Sequence, residues 1–383
     1  MNCPICNNPA EQFLYRSQVP VHQNLPLSTV TEARKVRRGD LNLCACGNCG
    51  FIFNASFDPG LLEYGASYDN TQTCSPLFLD YINELVDRII IKANMRNRRI
   101  VEVGCGKGDF LRRLVQDPNN GNAGFGFDPS YTGPDRLLNG RLKFVTDYYS
   151  SKFKNIKSDV VVCRHVIEHI PDPVAILRDL RSCLNSEKDA LLFFETPDVN
   201  WILSKEVIWD FFYEHCSYFN PHSITTAFNR AGFRVIDIHS TFGSQYMWIE
   251  AKPMETPEAF STPYTESASM AQSFTKALSA QQQAWTDRIA SLLQKGPIAI
   301  WGAGAKGVTF ANMVDPNCSL IDCVIDINPN KQGKFIPGTG HPIISIQNIA
   351  ERNIKNAILM NPNYLEENKA ILASIGLTLN LII

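Results

Sequence analysis

Residues 99–109, Arg99-Ile-Val-Glu-Val-Gly-Cys-Gly-Lys-Gly-Asp109, constrain the fold of this chain more than any other stretch. The apolar residues Ile100, Val101 and Val103 predict a buried strand that runs directly into a turn of alternating glycines. Residues 110–115 then have the apolar spacing of a helix. Glycines allow a tight turn and a helix N-terminus offers free N–H groups, so this unit predicts a nucleotide-binding α/β domain.

The spacing of the glycines indicates the kind of nucleotide. Gly104, Gly106 and Gly108 follow the acidic Glu102 in the pattern E-x-G-x-G-x-G. This pattern resembles the first motif of class I S-adenosyl-L-methionine (SAM) methyltransferases, and the resemblance implies that Glu102, Gly104 and Gly106 hold the methionine part of the cofactor. Dinucleotide folds usually space their glycines as G-x-G-x-x-G. The spacing therefore favours SAM over NAD.

Two further predicted strands of this domain end in a carboxylate. Asp128 lies 24 residues after Gly104, where such folds hydrogen-bond a ribose diol. Asp147 ends the next strand, a usual position for contact with the adenine edge. Arg164, after the fourth predicted strand, is a further candidate for the cofactor site. Ligands in open α/β sheets bind outside the carboxyl ends of the strands, which favours grouping these residues in one site.

Four cysteines near the start of the chain indicate a metal site. Cys3 and Cys6 form one C-x-x-C pair, and Cys46 and Cys49 form a second after a 39-residue gap. Two such pairs supply the four thiolates of a tetrahedral zinc (Zn) site. Four protein ligands leave no open position for a reacting water, so the predicted role is structural. A module this small buries little core, and the metal would contribute folding energy.

The composition describes a globular protein that is large enough for two or three domains. The chain has 383 residues, 44% of them apolar and 19% charged, with a net charge of −2. The balanced charge gives no general polyanion-binding surface, so we expect no nucleic-acid partner. We find no apolar run of membrane length and no signal peptide, and we expect a cytoplasmic monomer with reduced cysteines that binds a small-molecule substrate.

A second nucleotide-binding pattern follows a predicted linker. Residues 252–280 are rich in Pro, Ser, Thr and Ala, and a helix is expected over 273–295. A strand then leads into Gly302-Ala-Gly-Ala-Lys-Gly307, and Asp326 lies 24 residues after Gly302. Taken alone, this pattern suggests dinucleotide binding. Since the remaining segment is short, we favour a small Rossmann-like lobe that holds a phosphorylated ligand at a helix start.

Together these stretches resemble the SAM-dependent sugar C-methyltransferases of deoxysugar biosynthesis across nearly the whole chain. The matching stretches are the two cysteine pairs and residues 102–106, 164–173, 214–219, 302–307, 326–333 and 337–338. The resemblance implies an α/β fold: a class I SAM methyltransferase Rossmann-like core with an N-terminal zinc-binding module and a C-terminal Rossmann-like lobe. The expected domains are a zinc-binding module, a methyltransferase domain, a linker with a helix, and a substrate-binding lobe, at 1–62, 63–252, 253–295 and 296–383.

The resemblance also implies a reaction and its residues. Members of this family methylate a carbon beside the ketone of a nucleotide-linked 4-keto sugar. A base must remove the weakly acidic proton, and donors must stabilise the enolate oxygen before the enolate carbon attacks the SAM methyl group. By resemblance His215 is the base, Glu214 its neighbour in orientation or polarity, and His169 a second polar group near the ketone. Tyr68 matches the active-site tyrosine of the family.

One position departs from the family pattern. The family reads Tyr-His-Glu-His where this chain reads Phe212-Tyr213-Glu214-His215. A phenyl ring cannot donate a hydrogen bond, so Tyr213 would have to supply the hydroxyl through a shift of the backbone. Otherwise the substrate, the methylated position or the acceptor atom differs. Three alternatives stay open: O- or N-methylation of a sugar or related metabolite, an NAD-dependent oxidoreductase, and a zinc-ribbon adaptor without activity.

Overall fold

The computed structural model describes residues 1–62, 72–184, 187–255 and 263–383. Its helices and strands follow one another along the chain as β1 (Ala10–Pro20), α1 (Val30–Arg34), β2 (Arg38–Cys46), β3 (Ile52–Asn54), α2 (Pro76–Lys92), β4 (Arg99–Val103), α3 (Asp109–Val115), β5 (Ala123–Phe127), β6 (Arg136–Leu137), β7 (Leu142–Val145), β8 (Val160–Arg164), α4 (Pro173–Cys183), β9 (Leu191–Pro197), α5 (Val199–Ser204), β10 (Ser217–Tyr218), α6 (Pro221–Arg230), β11 (Phe233–Thr241), β12 (Tyr246–Pro253), α7 (Glu266–Leu293), β13 (Ile298–Trp301), α8 (Ala305–Val314), β14 (Cys323–Ile325), β15 (Ile343–Ile344), β16 (Asn356–Leu359), α9 (Leu365–Ser374) and β17 (Asn380–Ile382).

The N-terminal sheet is antiparallel and has the order β1-β2-β3-β10. Its last strand comes from much later in the chain, because Ser217 pairs with Phe53 and Tyr218 pairs with Ile52. The N-terminal segment therefore shares a sheet with the strand that begins two residues after His215. A structural change in the cysteine module has a direct route to the central part of the chain.

The central sheet has the order β11-β12-β9-β8-β4-β5-β7-β6. Strands β9, β8, β4, β5 and β7 are parallel, whereas the pairs β11–β12, β12–β9 and β7–β6 are antiparallel. Val103 is level with both Phe127 and Cys163, so the carboxyl ends of β4, β5 and β8 form one edge. The predicted α/β core is confirmed, and this edge carries Gly104 and Asp128.

Helix α2 leads into the central sheet. The Ser75 hydroxyl accepts a hydrogen bond from the Phe78 N–H at 3.1 Å, and Pro76 occupies the first turn. A serine cap satisfies one of the free N–H groups at a helix start, and proline needs no such partner there. The apolar face packs in the same core as Ile100 of β4.

Helix α7 begins earlier than predicted, at Glu266 instead of about residue 273, so part of the expected linker is helical. The reason is close packing by small residues. Ser267 is fully buried, and its hydroxyl accepts from the Asn220 amide at 2.8 Å and donates to the Asn200 carbonyl oxygen at 3.0 Å. Ser- and Ala-rich sequence reads as a linker, but here it allows a helix to lie close to its neighbours.

The C-terminal sheet is parallel, with the order β15-β14-β13-β16-β17, and confirms the predicted Rossmann-like lobe. One hydrophobic core joins this lobe to the rest of the chain, since it contains Leu41 of β2, Phe274 of α7 and Ile300 of β13. Among the helices of the described segments, we find none that combines the length and the apolar character needed to cross a membrane.

Candidate active site

A cavity of about 270 Å³ lies between the central sheet and the C-terminal lobe. From the central sheet it is lined by His165, which follows β8, and by Pro197 at the end of β9. From the C-terminal lobe it is lined by Trp301, Asp326 and Met360, at or just after the ends of β13, β14 and β16. Carboxyl ends of parallel strands are the usual ligand-binding edge, and here two such edges contribute to one cavity.

The structure brings the two predicted histidines together in this cavity. The rings of His169 and His215 meet edge to face, with centroids 4.8 Å apart. The His169 Nδ1 lies 2.9 Å from the backbone oxygen of Glu214. A carbonyl oxygen only accepts, so the proton of this contact is on Nδ1. Burial, together with the charges of neighbouring histidines and Lys306, lowers the pKa of His215 well below its ordinary value. At neutral pH it is an uncharged imidazole able to accept a proton.

The neighbours of His215 along the chain point in different directions. Phe212 lines the cavity, with its ring centroid 4.2 Å from that of His215. The Glu214 carboxylate is buried and accepts from the Gln23 N–H at 2.9 Å. The same carboxylate oxygen lies 3.1 Å from the His22 Nδ1. Glu214 thus ties the N-terminal segment to the wall of the cavity.

Tyr213 is not brought to the cavity. Its side chain is fully buried, and its hydroxyl accepts from the Asp58 N–H at 2.9 Å. In this arrangement it does not supply the hydroxyl that Phe212 lacks, because its own hydroxyl is held at the backbone of Asp58. Tyr68, the remaining predicted catalytic residue, lies outside the described residues.

Two residues that the sequence reading left as structural also line the cavity, Glu168 and His165. His165 has φ = 53°, a left-handed conformation that is unusual for a residue with a side chain. Burial opposes its charge, but Glu195 and Glu168 outweigh burial and raise the pKa of His165 to about 9. The signal in the sequence was the clustering of His165, Glu168 and His169 after a strand, without any indication of where each side chain points.

The predicted cofactor turn has room for a ligand against its backbone. Gly104 and Gly106 have φ values of 70° and 54°, which side chains disfavour. A Cβ on Gly104 would collide with Val166, whereas a Cβ on Gly106 would enter open space. The half-buried Asp128 accepts from the Gly106 N–H at 2.8 Å. The open face at Gly106, beside a carboxylate with further acceptor capacity, fits a cofactor such as SAM.

The other predicted cofactor residues occupy positions around this turn. Glu102 is 3% exposed and accepts from the Leu111 N–H at 3.1 Å, and burial raises its pKa to about 8. Arg164 donates to Glu195 from two nitrogens, at 2.7 and 2.8 Å. Asp147 is half-buried and pairs with Lys152, which lowers the pKa of Asp147. Glu102 and Arg164 contact other residues of the domain, Leu111 and Glu195. Direct contact of Glu102, Arg164 and Asp147 with the cofactor stays a prediction.

The C-terminal wall is built around its own glycine turn. A Cβ on Gly307 would collide with the backbone oxygen of Gly302, so helix α8 lies against the turn. The Asp326 carboxylate accepts from the Ala303 N–H at 2.7 Å and fixes the turn. The Lys306 ammonium, at the start of α8, lies 2.8 Å from Asp210 and 3.0 Å from the oxygen of Gln245. Asp210, Gln245 and Lys306 were not singled out from the sequence.

The four predicted metal-binding cysteines also converge. The sulfurs of Cys3, Cys6, Cys46 and Cys49 all lie within 4.8 Å of one another. Cys3 and Cys49 are 3.6 Å apart, and Cys6 and Cys46 are 3.4 Å apart. Zinc–sulfur bonds of about 2.3 Å in a tetrahedron place sulfurs about 3.8 Å apart, so the donor set fits a zinc ion.

Comparison with known proteins identifies the two α/β parts of the chain. A methyltransferase domain model matches residues 76–238, and a C-methyltransferase C-terminal domain model matches residues 262–376. A tRNA U34 carboxymethyltransferase of Nautilia profundicola is 28% identical over 26% of this chain and 35% of its own length. A ubiquinone biosynthesis O-methyltransferase of Neisseria meningitidis is 31% identical over 33% of this chain and 52% of its own.

A third relative is similar across both parts. The C-methyltransferase NovU of Streptomyces niveus is 27% identical over 76% of this chain and 72% of its own length. The chain spans about a third and about half of the length of the first two relatives, whose similarity is confined to part of each protein. The domain matches agree with the central sheet and the C-terminal lobe. The chain therefore combines a methyltransferase domain with a C-methyltransferase C-terminal domain, in agreement with its similarity to NovU.

Proposed function

We propose that this protein transfers a methyl group from SAM to a carbon alpha to the ketone of a nucleotide-linked 4-keto-deoxysugar. The observation that carries the proposal is the cavity in which His169 and His215 lie, between the carboxyl edge of the central sheet and that of the C-terminal sheet. The similarity to NovU, which is named a C-methyltransferase, supports carbon as the acceptor atom. The protein then uses one edge for the methyl donor and the other for the nucleotide of its substrate.

His215 is the base in this proposal. Its burial keeps the imidazole uncharged, so it can take the proton from the carbon beside the ketone. The electron pair of that C–H bond moves to the ketone oxygen and forms an enolate. His169, anchored through Nδ1 on the backbone oxygen of Glu214, is assigned the stabilisation of the enolate oxygen. Removing a proton this weakly acidic needs both functions.

The methyl donor is assigned to the edge formed by β4 and β5. SAM supplies a methyl group on a positively charged sulfur when it is bound there. The turn at Gly104 and Gly106 lets the backbone approach the methionine part, Asp128 is placed to accept from a ribose hydroxyl, and Asp147 is assigned to the adenine edge. Glu102 holds the start of α3 through the Leu111 N–H and so keeps the turn in shape.

The nucleotide of the substrate is assigned to the C-terminal lobe. The start of α8 offers backbone N–H groups to a diphosphate. Because the N-cap residue is Gly304, no side chain at that position accepts from these N–H groups. Lys306 adds a positive charge, and Asp326 lies after β14 where acidic residues meet a ribose. This arrangement directs the sugar from the C-terminal lobe toward His169 and His215.

We also propose that Cys3, Cys6, Cys46 and Cys49 hold one structural zinc ion. Four thiolates within 4.8 Å of one another, in a core shared with the central sheet, match a closed tetrahedral site. These residues would tie the end of β2 to the start of the chain. Since four thiolates complete a tetrahedral site, the metal would have no open position and would take no part in methyl transfer.

The reaction is tested by incubating purified protein with SAM and a small panel of nucleotide-linked 4-keto-deoxysugars in deuterated water. Carbon methylation predicts a mass gain of one methyl group and exchange of the proton alpha to the ketone. Methylation without exchange would shift the assignment to an oxygen or nitrogen acceptor. Binding of nicotinamide in place of SAM would overturn the proposal.

Lys306→Gln is expected to raise the KM for the nucleotide sugar by about 10- to 100-fold, because it removes a charge-assisted contact to the diphosphate. The Kd for SAM should stay within twofold, since SAM is assigned to the other edge. Steady-state kinetics and calorimetry measure the two effects. Lys369→Gln is the matched control, because Lys369 is an exposed lysine of the same lobe. An equal loss of SAM affinity in Lys306→Gln would contradict the assignment of SAM and the nucleotide sugar to two different sheet edges.

A further inference from the structure

Glu168 is a buried carboxylate beside the proposed base. It is 1% exposed and lies on the short turn Ile167–His169 that follows β8. One of its oxygens lies 3.3 Å from the His165 Nδ1, and the other accepts from the Thr196 hydroxyl at 3.1 Å. A carboxylate oxygen of Glu168 and one ring nitrogen each of His169 and His215 all lie within 4.8 Å of one another.

The carboxylate that is next to His215 in sequence has a different environment. Glu214 accepts from the backbone of Gln23 and contacts His22, both of which belong to the N-terminal segment. Glu168, not Glu214, is therefore the acidic residue that forms a compact group with the two histidines. Position in the sequence suggested the opposite assignment.

The proposed base needs a compensating negative charge. Burial and the positive charges of His169, His165 and Lys306 all disfavour a proton on His215. Removing a substrate proton converts His215 into an imidazolium, and this charge forms where water is largely excluded. A fixed carboxylate within about 5 Å lowers the energy of the imidazolium and so makes the base stronger.

His165 holds this carboxylate in place. Its Nε2 lies 3.3 Å from Glu195 while its Nδ1 faces Glu168, so the ring lies between two buried carboxylates. The backbone N–H of His165 donates to the backbone oxygen of Glu195 at 2.9 Å. The His165 ring meets the Tyr246 ring edge to face, with centroids 4.6 Å apart. These contacts maintain the left-handed backbone at His165, a conformation that persists where the surroundings fix it.

We infer that Glu168 is a positioning residue that stabilises the imidazolium formed when His215 takes the substrate proton, and that His165 fixes its carboxylate for this role. The inference rests on the proposed function for the source of that proton. The C–H bond of the substrate breaks, its electron pair becomes the enolate, and its proton forms a new N–H bond on His215. Glu168 remains an anion throughout and exchanges no proton.

The other titratable groups near Glu168 do not replace it. Those that interact with Glu168, or with the histidines beside it, are Cys163, Arg164, His165, His169, Glu195, His215, Cys216, Tyr246 and Lys306. Glu195 is the second carboxylate of this set, and it is engaged by Arg164 and Tyr81 on the cofactor side. Glu168 is the carboxylate within the histidine group itself.

A substrate-free experiment tests the electrostatic part. The imidazole NMR signals of His165, His169 and His215 are followed through a pH titration in the wild type, Glu168→Gln, Glu168→Asp and Glu214→Gln. Glu168→Gln should lower the pKa of His165 from about 9 by about one unit and lower the pKa of His215 further. Glu168→Asp should restore most of the shift, and Glu214→Gln should affect His215 less. Unchanged titration of His215 in Glu168→Gln, or an equal effect of Glu214→Gln, would overturn the inference.

A kinetic experiment tests the role in the reaction. Glu168→Gln should lower kcat for alpha-proton exchange by about 100-fold, with the KM for SAM within twofold of the wild type. Without the carboxylate the imidazole is harder to protonate, so the acid limb of the kcat profile should move to lower pH. Loss of activity with an unmoved acid limb would indicate a purely structural role and contradict the inference. If the wild type itself shows no exchange, the proposed function fails, and the titrations still decide the role of Glu168.

Discussion

His215→Ala is expected to lower the rate of alpha-proton exchange and the rate of methyl transfer together by at least about 1,000-fold. A positioned base contributes roughly 100- to 10,000-fold, and the carbon acid of a ketone does not ionise fast enough without one. The Kd for SAM should stay within about twofold, because the side chain of His215 lies at the histidine pair and not at the Gly104–Gly106 turn. Both rates are measured on the same sample by NMR in deuterated water.

His222→Ala is the matched control for this experiment. His222 lies on α6, where its ring stacks on Tyr264, and it does not line the cavity. Its removal should leave both rates within about twofold of the wild type. If His215→Ala keeps exchange within tenfold of the wild type, another group is the base, and His169, which lies beside His215 in the cavity, becomes the assignment.

Cys46→Ser is expected to release the metal and to lower the melting temperature by about 10 °C or more. A structural zinc site contributes several kcal/mol to folding, and in a domain of this size each kcal/mol shifts the melting temperature by about 2–4 °C. Cys3, Cys46 and Cys49 are buried in the same core as Val101 and Val161 of the central sheet, so the loss should extend beyond the N-terminal segment. Metal analysis and calorimetry measure the two effects.

The metal site is also expected to influence activity through the shared sheet. Strand β3 pairs with β10, which begins at Ser217, two residues after His215. Cys44→Ala is the matched control, because Cys44 is a buried cysteine of β2 that lies outside the four-sulfur group. It should keep one zinc per chain. Wild-type protein without zinc, or Cys46→Ser with its full zinc content, would contradict the assignment.

Short sequence patterns predicted those parts of the fold that consecutive residues determine. Strand β4, its glycine turn and helix α3 are specified by consecutive residues, so their periodicity and turn chemistry were sufficient. The start of α7 was not predictable in this way. Ser267 and Ala271 resemble linker residues, and what makes them helical is burial against Asn200 and Asn220, which are distant in sequence.

The sequence predicted which segments form the candidate site, but it did not predict which side chains of those segments face the cavity. The motifs placed His169 and His215 in one cavity, but they did not show which of the neighbouring side chains face it. Phe212 lines the cavity, while Tyr213 is buried against the backbone of Asp58. The role of Glu168 depends on its distance to two histidines, one of them far along the chain, which no local pattern shows.

The measurement that tests the central claim most directly is the position of the transferred carbon. The protein is incubated with SAM carrying a 13C methyl group and with an acceptor 4-keto-deoxysugar uniformly labelled with 13C. Transfer to carbon predicts a one-bond 13C–13C coupling between the new methyl group and the ring carbon beside the ketone. A methyl signal without that coupling would place the methyl group on oxygen or nitrogen, and it would contradict the assignment of His215 as the base that forms an enolate.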